Sequence, residues 1–224
     1  MKVEVEDSLK GKNLKCGYVI LNVRVRESPE KLKLLIKEES LKLRKKLKVE
    51  DLKEDKIVKA YRKLWWEFKM DPTKLRPSSE ALLRRILLGK DLYFINNVVD
   101  SFNLASIQTG LSVGAHDLEK ISGNLKVRRA KKGEKFVAIG SKGVMILNGN
   151  ELVVSDEEKI LDLGYSSSSC ELTKITEETK KALLTFYTPP EITIEYINDS
   201  LEKLIGYLIK FSNAKVLERG VVVL

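Results

Sequence analysis

The spacing of apolar residues shifts along this chain from mainly helical to mainly alternating, and that shift limits the fold more than any other feature. Up to about Gly110 apolar residues recur mainly at helical intervals, and from Leu125 they alternate. A period of 3.6 buries one stripe of a helix and a period of two buries one face of a strand, so the chain must hold both kinds of element. Ser28-Pro29-Glu30 opens the first helix, with Ser28 as cap, Pro29 in the first turn and an acid toward the dipole. Leu32, Leu35, Ile36, Leu43 and Leu47 give it a buried stripe. Asp51 with Glu54 resembles a capping box for a second helix that buries Ile57, Val58, Tyr61, Trp65 and Phe68. RPSSEALLRRILLGK gives a third helix ending at Gly89. Ile95, Val98, Val99, Phe102 and Ala105 form the apolar face of a fourth, which Gly110 stops.

Strand patterns frame these helices. Leu14 to Glu27 alternates after Tyr18, and LKVRRAK, EKFVAIG, GVMILN, ELVVSD and KILDLGY read as short strands, with Asn148-Gly149 the strongest hairpin signal. A helical turn at 175–180 leads into the strand KALLTFY, a long amphipathic helix follows, and KVLERGVVVL closes the chain as a strand. This order predicts one α+β domain over 1–224: a helical N-terminal part at 28–70, a core at 76–187, and a C-terminal helix and strand at 190–224.

At 224 residues such a fold buries about 70% of its unfolded surface, so it needs neither disulfide nor metal for stability. Cys16 and Cys170 form no CxxC pair, which argues against a zinc site and fits a reducing cytoplasm. The stretch MKVEVEDSLKGK has no apolar core, so no signal peptide is expected, and no apolar run reaches bilayer length. The net charge of +9 favours a polyanionic partner, although 32 acids among 41 Lys and Arg also describe a well-solvated surface.

Familiar catalytic signatures are missing. The chain has no GxxxxGK[ST], no GxGxxG after a strand and no GxSxG, and its single histidine has no nucleophile partner in sequence. What stands out is a polar set in the best core segment: Asn96, Asn97, Asp100, Asn103, His116 and Asp117. Asn96, Asp100 and Asn103 share a helix face, with Asn97 at its edge. Amides and a carboxylate there suit reading hydroxyls, amines and adenine edges; their ordinary use is to cap a loop and satisfy its backbone. His116 carries the same two readings, as base or as hydrogen-bonded loop residue.

The string NNVVDSFNLASIQTGLSVGAHDLEKISGNLKVRRAKKGEKFVAIG resembles the editing domain of the phenylalanyl-tRNA synthetase beta subunit. The matching elements are Asn97, Val98, Val99, Asp100 and Asn103; the loop from Gly110 through Asp117-Leu118; and Arg128, Ala130, Gly133 and Glu134. The likeness covers roughly Tyr61 to Phe186, and RPSSEALLRRI and ITEETKKALL look more like small free-standing relatives of that domain.

The resemblance implies a fold of N-terminal helices with mixed and antiparallel β layers. It also implies an activity: hydrolysis, in trans, of the ester of a mischarged tRNA, without metal or cofactor. An aminoacyl ester is already activated, so a site need only place a water, hold the terminal adenosine and polarise the carbonyl. On this reading Asn97, Asp100, Asn103 and His116 act on the ester, and Asn96, Ser112, Gly114 and Thr185 border the substrate. Ser166 to Ser169 is a further source of hydroxyls, and Arg84, Arg85, Arg128 and Arg129 reach tRNA phosphates. The partner is the tRNA acceptor end, with a synthetase or a second copy as further partners and no membrane. Two departures matter: the family's loop histidine falls at Gly114, and its tyrosine-reading glutamate at Thr185. A pocket without that acceptor loses the basis for selecting tyrosine. The alternative is the same fold as a non-catalytic module binding RNA or an amino acid. Either way the helix of Asp100, the segment of His116 and the strand of Thr185 are expected to enclose one polar-floored cavity.

Overall fold

The computed structural model describes residues 2–165 and 168–224. Five helices occur among them: α1 (Glu30–Lys46), α2 (Lys56–Glu67), α3 (Ser78–Leu87), α4 (Asn97–Thr109) and α5 (Ile194–Ser212). The strands are β1 (Val3–Val5), β2 (Lys15–Asn22), β3 (Val113–Asp117), β4 (Leu125–Arg129), β5 (Lys135–Phe136), β6 (Met145–Ile146), β7 (Leu152–Ser155), β8 (Ile160–Leu163), β9 (Ser168–Ser169), β10 (Lys181–Thr188) and β11 (Lys215–Val223). No described helix is long and apolar enough to cross a membrane.

Two sheets dominate. One is antiparallel in the order β11-β2-β10-β3; the other runs β1-β4-β7-β8-β9, with β1 parallel to β4 and the rest antiparallel. Strand alternation sorts β10 between two cores. Ala182, Leu184 and Phe186 pack with α4 and α5, whereas Leu183 and Tyr187 pack toward β7 and β8. The antiparallel sheet is therefore a middle layer, with helices on one face and the second sheet on the other. Ile197, Leu201, Leu204, Ile205 and Leu208 of α5 lie on its helical face, each buried side chain contributing about 1.5–3 kcal/mol. Gly17 permits that approach, since a Cβ there would sit 2.4 Å from Ile197 Cγ2. A third core joins α1, α3 and α4.

Several sequence signals are used differently from their expected roles. Ser28 does not cap α1; its hydroxyl donates to Asp100 (2.5 Å). Asp51 serves a short 3-10 turn, and Asp55 caps α2 by accepting from the backbone N–H of Ile57 and Val58. Asn148-Gly149 does not join paired strands, because β6 pairs with β5 while β7 pairs with β4 and β8. The Glu151 carboxylate gathers the N–H groups of Asn148, Gly149 and Asn150 instead. The expected helical turn at 175–180 is a tight turn closed by Thr179 N–H to the Thr176 carbonyl.

Candidate functional site

The polar residues at the start of α4 are bound into the fold. Asn96 is the N-cap, its side-chain Oδ1 accepting from Val98 N–H (3.1 Å) and Val99 N–H (2.9 Å). Asn97 is fully buried and staples two distant segments: it donates to the carbonyls of Arg24 and Phe211 and accepts from Arg26 N–H, each at 2.9 Å. Asp100, also buried, accepts from Ser28 and from Ile95 N–H (3.1 Å). Burial pushes its carboxyl above the usual range against the opposing pull of those donors and of Lys33. Asn103 is half-buried.

The other expected site residues lie across the middle sheet. Thr185 pairs with Gly114, and both are sealed within the structure. By alternation Thr185 shares the face of Leu183 and Tyr187, opposite α4. Tyr165 and Tyr187 stack there with ring centroids 5.2 Å apart, both almost fully buried, beside buried Cys16. Ser112 bonds to Ser79 (3.1 Å). His116 is 1% exposed, with Nε2 2.9 Å from Asp162 Oδ2 and Nδ1 2.9 Å from Thr173 Oγ1. α4, β3 and β10 do meet, but Asn97 and Asp100 lie on the helical side while His116 and Thr185 face the second sheet. The three segments do not enclose one polar-floored cavity.

A cavity of about 280 Å³ opens instead beside β3, the edge strand of the middle sheet. Its wall is apolar: Ile95, Val99, Phe102, Ala115, Ile139 and Ile175. Among the described residues only the side chains of Ser169 and Lys174 bring polar groups to it. The Ser169 hydroxyl donates to Asp162 Oδ1 (2.7 Å), so a buried line runs Ser169–Asp162–His116–Thr173 behind the cavity. The Lys174 ammonium pairs with Glu171 and holds that carboxyl below its usual range. Of the Ser166 to Ser169 run, Ser166 and Ser167 lie outside the described residues. Asp162 has only a weak sequence signal, a lone acid inside the apolar run of β8. Among the described residues no three His, Cys, Asp or Glu side chains are grouped to hold a metal.

The expected phosphate contacts are engaged internally to different degrees. Arg128 forms a two-pronged pair with Glu134 (2.6 and 2.9 Å) and holds that carboxyl below its usual range. Arg129 lies 4.6 Å from the Phe68 ring centroid and donates to the Asn150 carbonyl. Arg85 lies 3.9 Å from the Tyr93 ring centroid, and Arg84 is half-exposed.

Residues 60–203 match the model of the B3/4 domain family. The phenylalanine--tRNA ligase beta subunit of Fusobacterium nucleatum subsp. nucleatum is 32% identical over 121 residues, 53% of this chain and 15% of that subunit. The beta subunit from Aquifex aeolicus is 39% identical over 90 residues, 40% of this chain and 11% of its own length. The chain thus spans a small part of the relatives it matches. The crystal structure of an N-terminal fragment of the phenylalanyl-tRNA synthetase beta subunit from Pyrococcus horikoshii aligns with a TM-score of 0.51 at 16% identity, covering 96% of this chain and 50% of that one. That likeness is one of fold, the α+β arrangement of helices on mixed and antiparallel sheets.

Proposed function

The chain belongs to the B3/4 domain family, and from that membership we propose that it receives the aminoacylated end of a tRNA and hydrolyses the ester of a mischarged one in trans. The observation that carries this reading is the cavity beside β3, where an apolar wall meets one hydroxyl and one ammonium. A volume of about 280 Å³ suits an amino-acid side chain. Among the described residues the lining side chains offer no carboxylate to a phenol hydroxyl, so an apolar side chain is preferred over tyrosine, in keeping with Gly114 and Thr185 at the two departing positions.

The chemistry asked of the site is modest. Water adds to the ester carbonyl, the bond between carbonyl carbon and ribose oxygen breaks, and the ribose oxygen takes up a proton as the free amino acid leaves. Lys174 supplies positive charge toward the developing oxyanion, and Ser169, held by Asp162, orients the water or the neighbouring ribose hydroxyl. Asn96, Asn97, Asp100 and His116 act by holding the walls, and Arg84 and Arg85 are the basic groups offered to phosphates.

A binding module is the second reading. It is favoured by one observation: His116 and Asp100 are buried and spent on internal partners, which leaves no side-chain base facing the cavity among the described residues. A deacylation assay over a panel of mischarged tRNAs separates the two. Release of an apolar amino acid, slowed at least tenfold by Ser169→Ala or Lys174→Ala, supports hydrolysis; retarded tRNA in a gel with no release from any substrate supports binding alone.

A further inference from the structure

A short segment at the cavity's rim carries a surface that the hydrolytic reading does not use. Tyr93, Phe94 and Ile95 are consecutive and outward-facing, at 70%, 37% and 62% exposure. They are not loosely held. Leu92 before them is buried, and Ile95 N–H donates to the buried Asp100, so the segment is pinned at both ends. Each ring also has a cation against it. The Arg85 guanidinium lies 3.9 Å from the Tyr93 centroid, and Lys33 Nζ lies 6.0 Å from that of Phe94. Arg85 is itself fixed, donating through Nε to the Asp91 carbonyl (2.6 Å). The acids beside them are already engaged: Asp91 pairs with Arg44, and Glu27 with Lys33.

We infer that Tyr93 and Phe94 form a stacking platform for unpaired nucleotides at an RNA 3′ end, leading that end to the cavity. This rests on the tRNA reading above and adds to it the contact that seats the single-stranded tail. A flat ring backed by guanidinium leaves its other face open to a nucleobase, and the cation adds attraction for the adjoining phosphates. Bases in a duplex hide their faces in the stack, so such a platform selects a single-stranded tail. Ile95 ties the platform to the cavity, since it lines the wall and stands two residues from Tyr93. The two rings are thus placed where nucleotides next to an ester held in the cavity would lie.

The test uses an RNA hairpin with an unpaired four-nucleotide 3′ tail carrying 2-aminopurine at its last position, and the same hairpin with a blunt end. The wild-type chain is expected to quench the fluorophore and to bind the tailed hairpin about tenfold more tightly than the blunt one. Tyr93→Ala should lose both effects, Tyr93→Phe should keep them, and Phe94→Ala should weaken them. Thermal unfolding of both Tyr93 variants should be unchanged, because that ring is exposed, and Phe94→Ala is read at a temperature where it stays folded. Equal binding of tailed and blunt hairpins by the wild type, or an unaltered preference in Tyr93→Ala, overturns the platform while leaving tRNA binding intact. If the wild type binds neither hairpin nor tRNA, the parent reading falls and takes the platform with it.

Discussion

His116 and Asp162 stand 2.9 Å apart with both side chains shut off from solvent, joining the middle sheet to the second sheet. Ser169 and Thr173 complete their hydrogen bonding from either end. The chain's single histidine is thereby a tie between layers. Asp162→Ala leaves His116 and Ser169 without their partner and should cost about 1–3 kcal/mol for each orphaned group in urea unfolding. His116→Ala should be less severe, and the double mutant should show a coupling energy of roughly 0.5–3 kcal/mol. Additive costs would mean that the pair does not act as a unit.

Asn97 gives a second contrast within one helix. Its amide holds the carbonyls of Arg24 and Phe211 and the N–H of Arg26, whereas Asn103, two turns on, is half-buried. Asn97→Ala should destabilise by about 3 kcal/mol, since it orphans buried backbone groups. Asn103→Ala should stay within about 0.5 kcal/mol. Chemical denaturation of both variants gives the comparison; equal effects would remove the distinction between staple and surface residue.

How far the sequence could carry this picture depends on the range of each signal. Gly110 was legible as a helix stop because the requirement is local: it ends α4 with φ +72°. The strands β2, β10 and β11 were legible because alternation is local too. The partners of buried polar groups were not. Ser28 looks like a cap from its neighbours, yet its hydroxyl is drawn to Asp100, 72 residues away. Asn148-Gly149 has hairpin chemistry, but β6 and β7 belong to different sheets, a choice made by β5 and β4. Of the expected polar row, Asp100 and Asn103 lie on α4 while Asn96 is its N-cap, and the side of the sheet the row faced was not legible. Which face of β3 meets α4 is decided by packing across three layers, and that left the apolar cavity at the β3 edge out of view.

Asp100 sets a pH dependence whose sign follows from its burial. Its carboxyl is raised in the folded state, so the native protein binds a proton more readily than the unfolded chain does. Its ionised form carries a stability cost above the raised value, and that cost fades as pH falls toward the ordinary aspartate range. The stability difference between wild type and Asp100→Asn should therefore shift in favour of wild type as pH drops from neutral through that window. Paired urea titrations at several pH values cancel the other carboxylates. A difference flat with pH, or one moving toward the variant, would contradict the assigned environment.

Thr185 offers the sharpest link between fold and specificity. If tyrosine selection needed only the acceptor that the resemblance places there, Thr185→Glu should create release of tyrosine from mischarged tRNA. The packing argues otherwise. Thr185 is fully buried, on the same face of the sheet as the stacked Tyr165–Tyr187 pair, with its hydroxyl 3.5 Å from the Gly114 carbonyl. A glutamate must find more volume and bring an ionised carboxylate between two packed sheets. The expected outcome is a loss of several kcal/mol, seen as a large fall in the urea midpoint, and no gain in tyrosine release. The cavity at the β3 edge should keep its preference for apolar side chains wherever the variant remains folded. A stable Thr185→Glu protein that releases tyrosine would move the substrate site from the β3 edge to the space between the sheets.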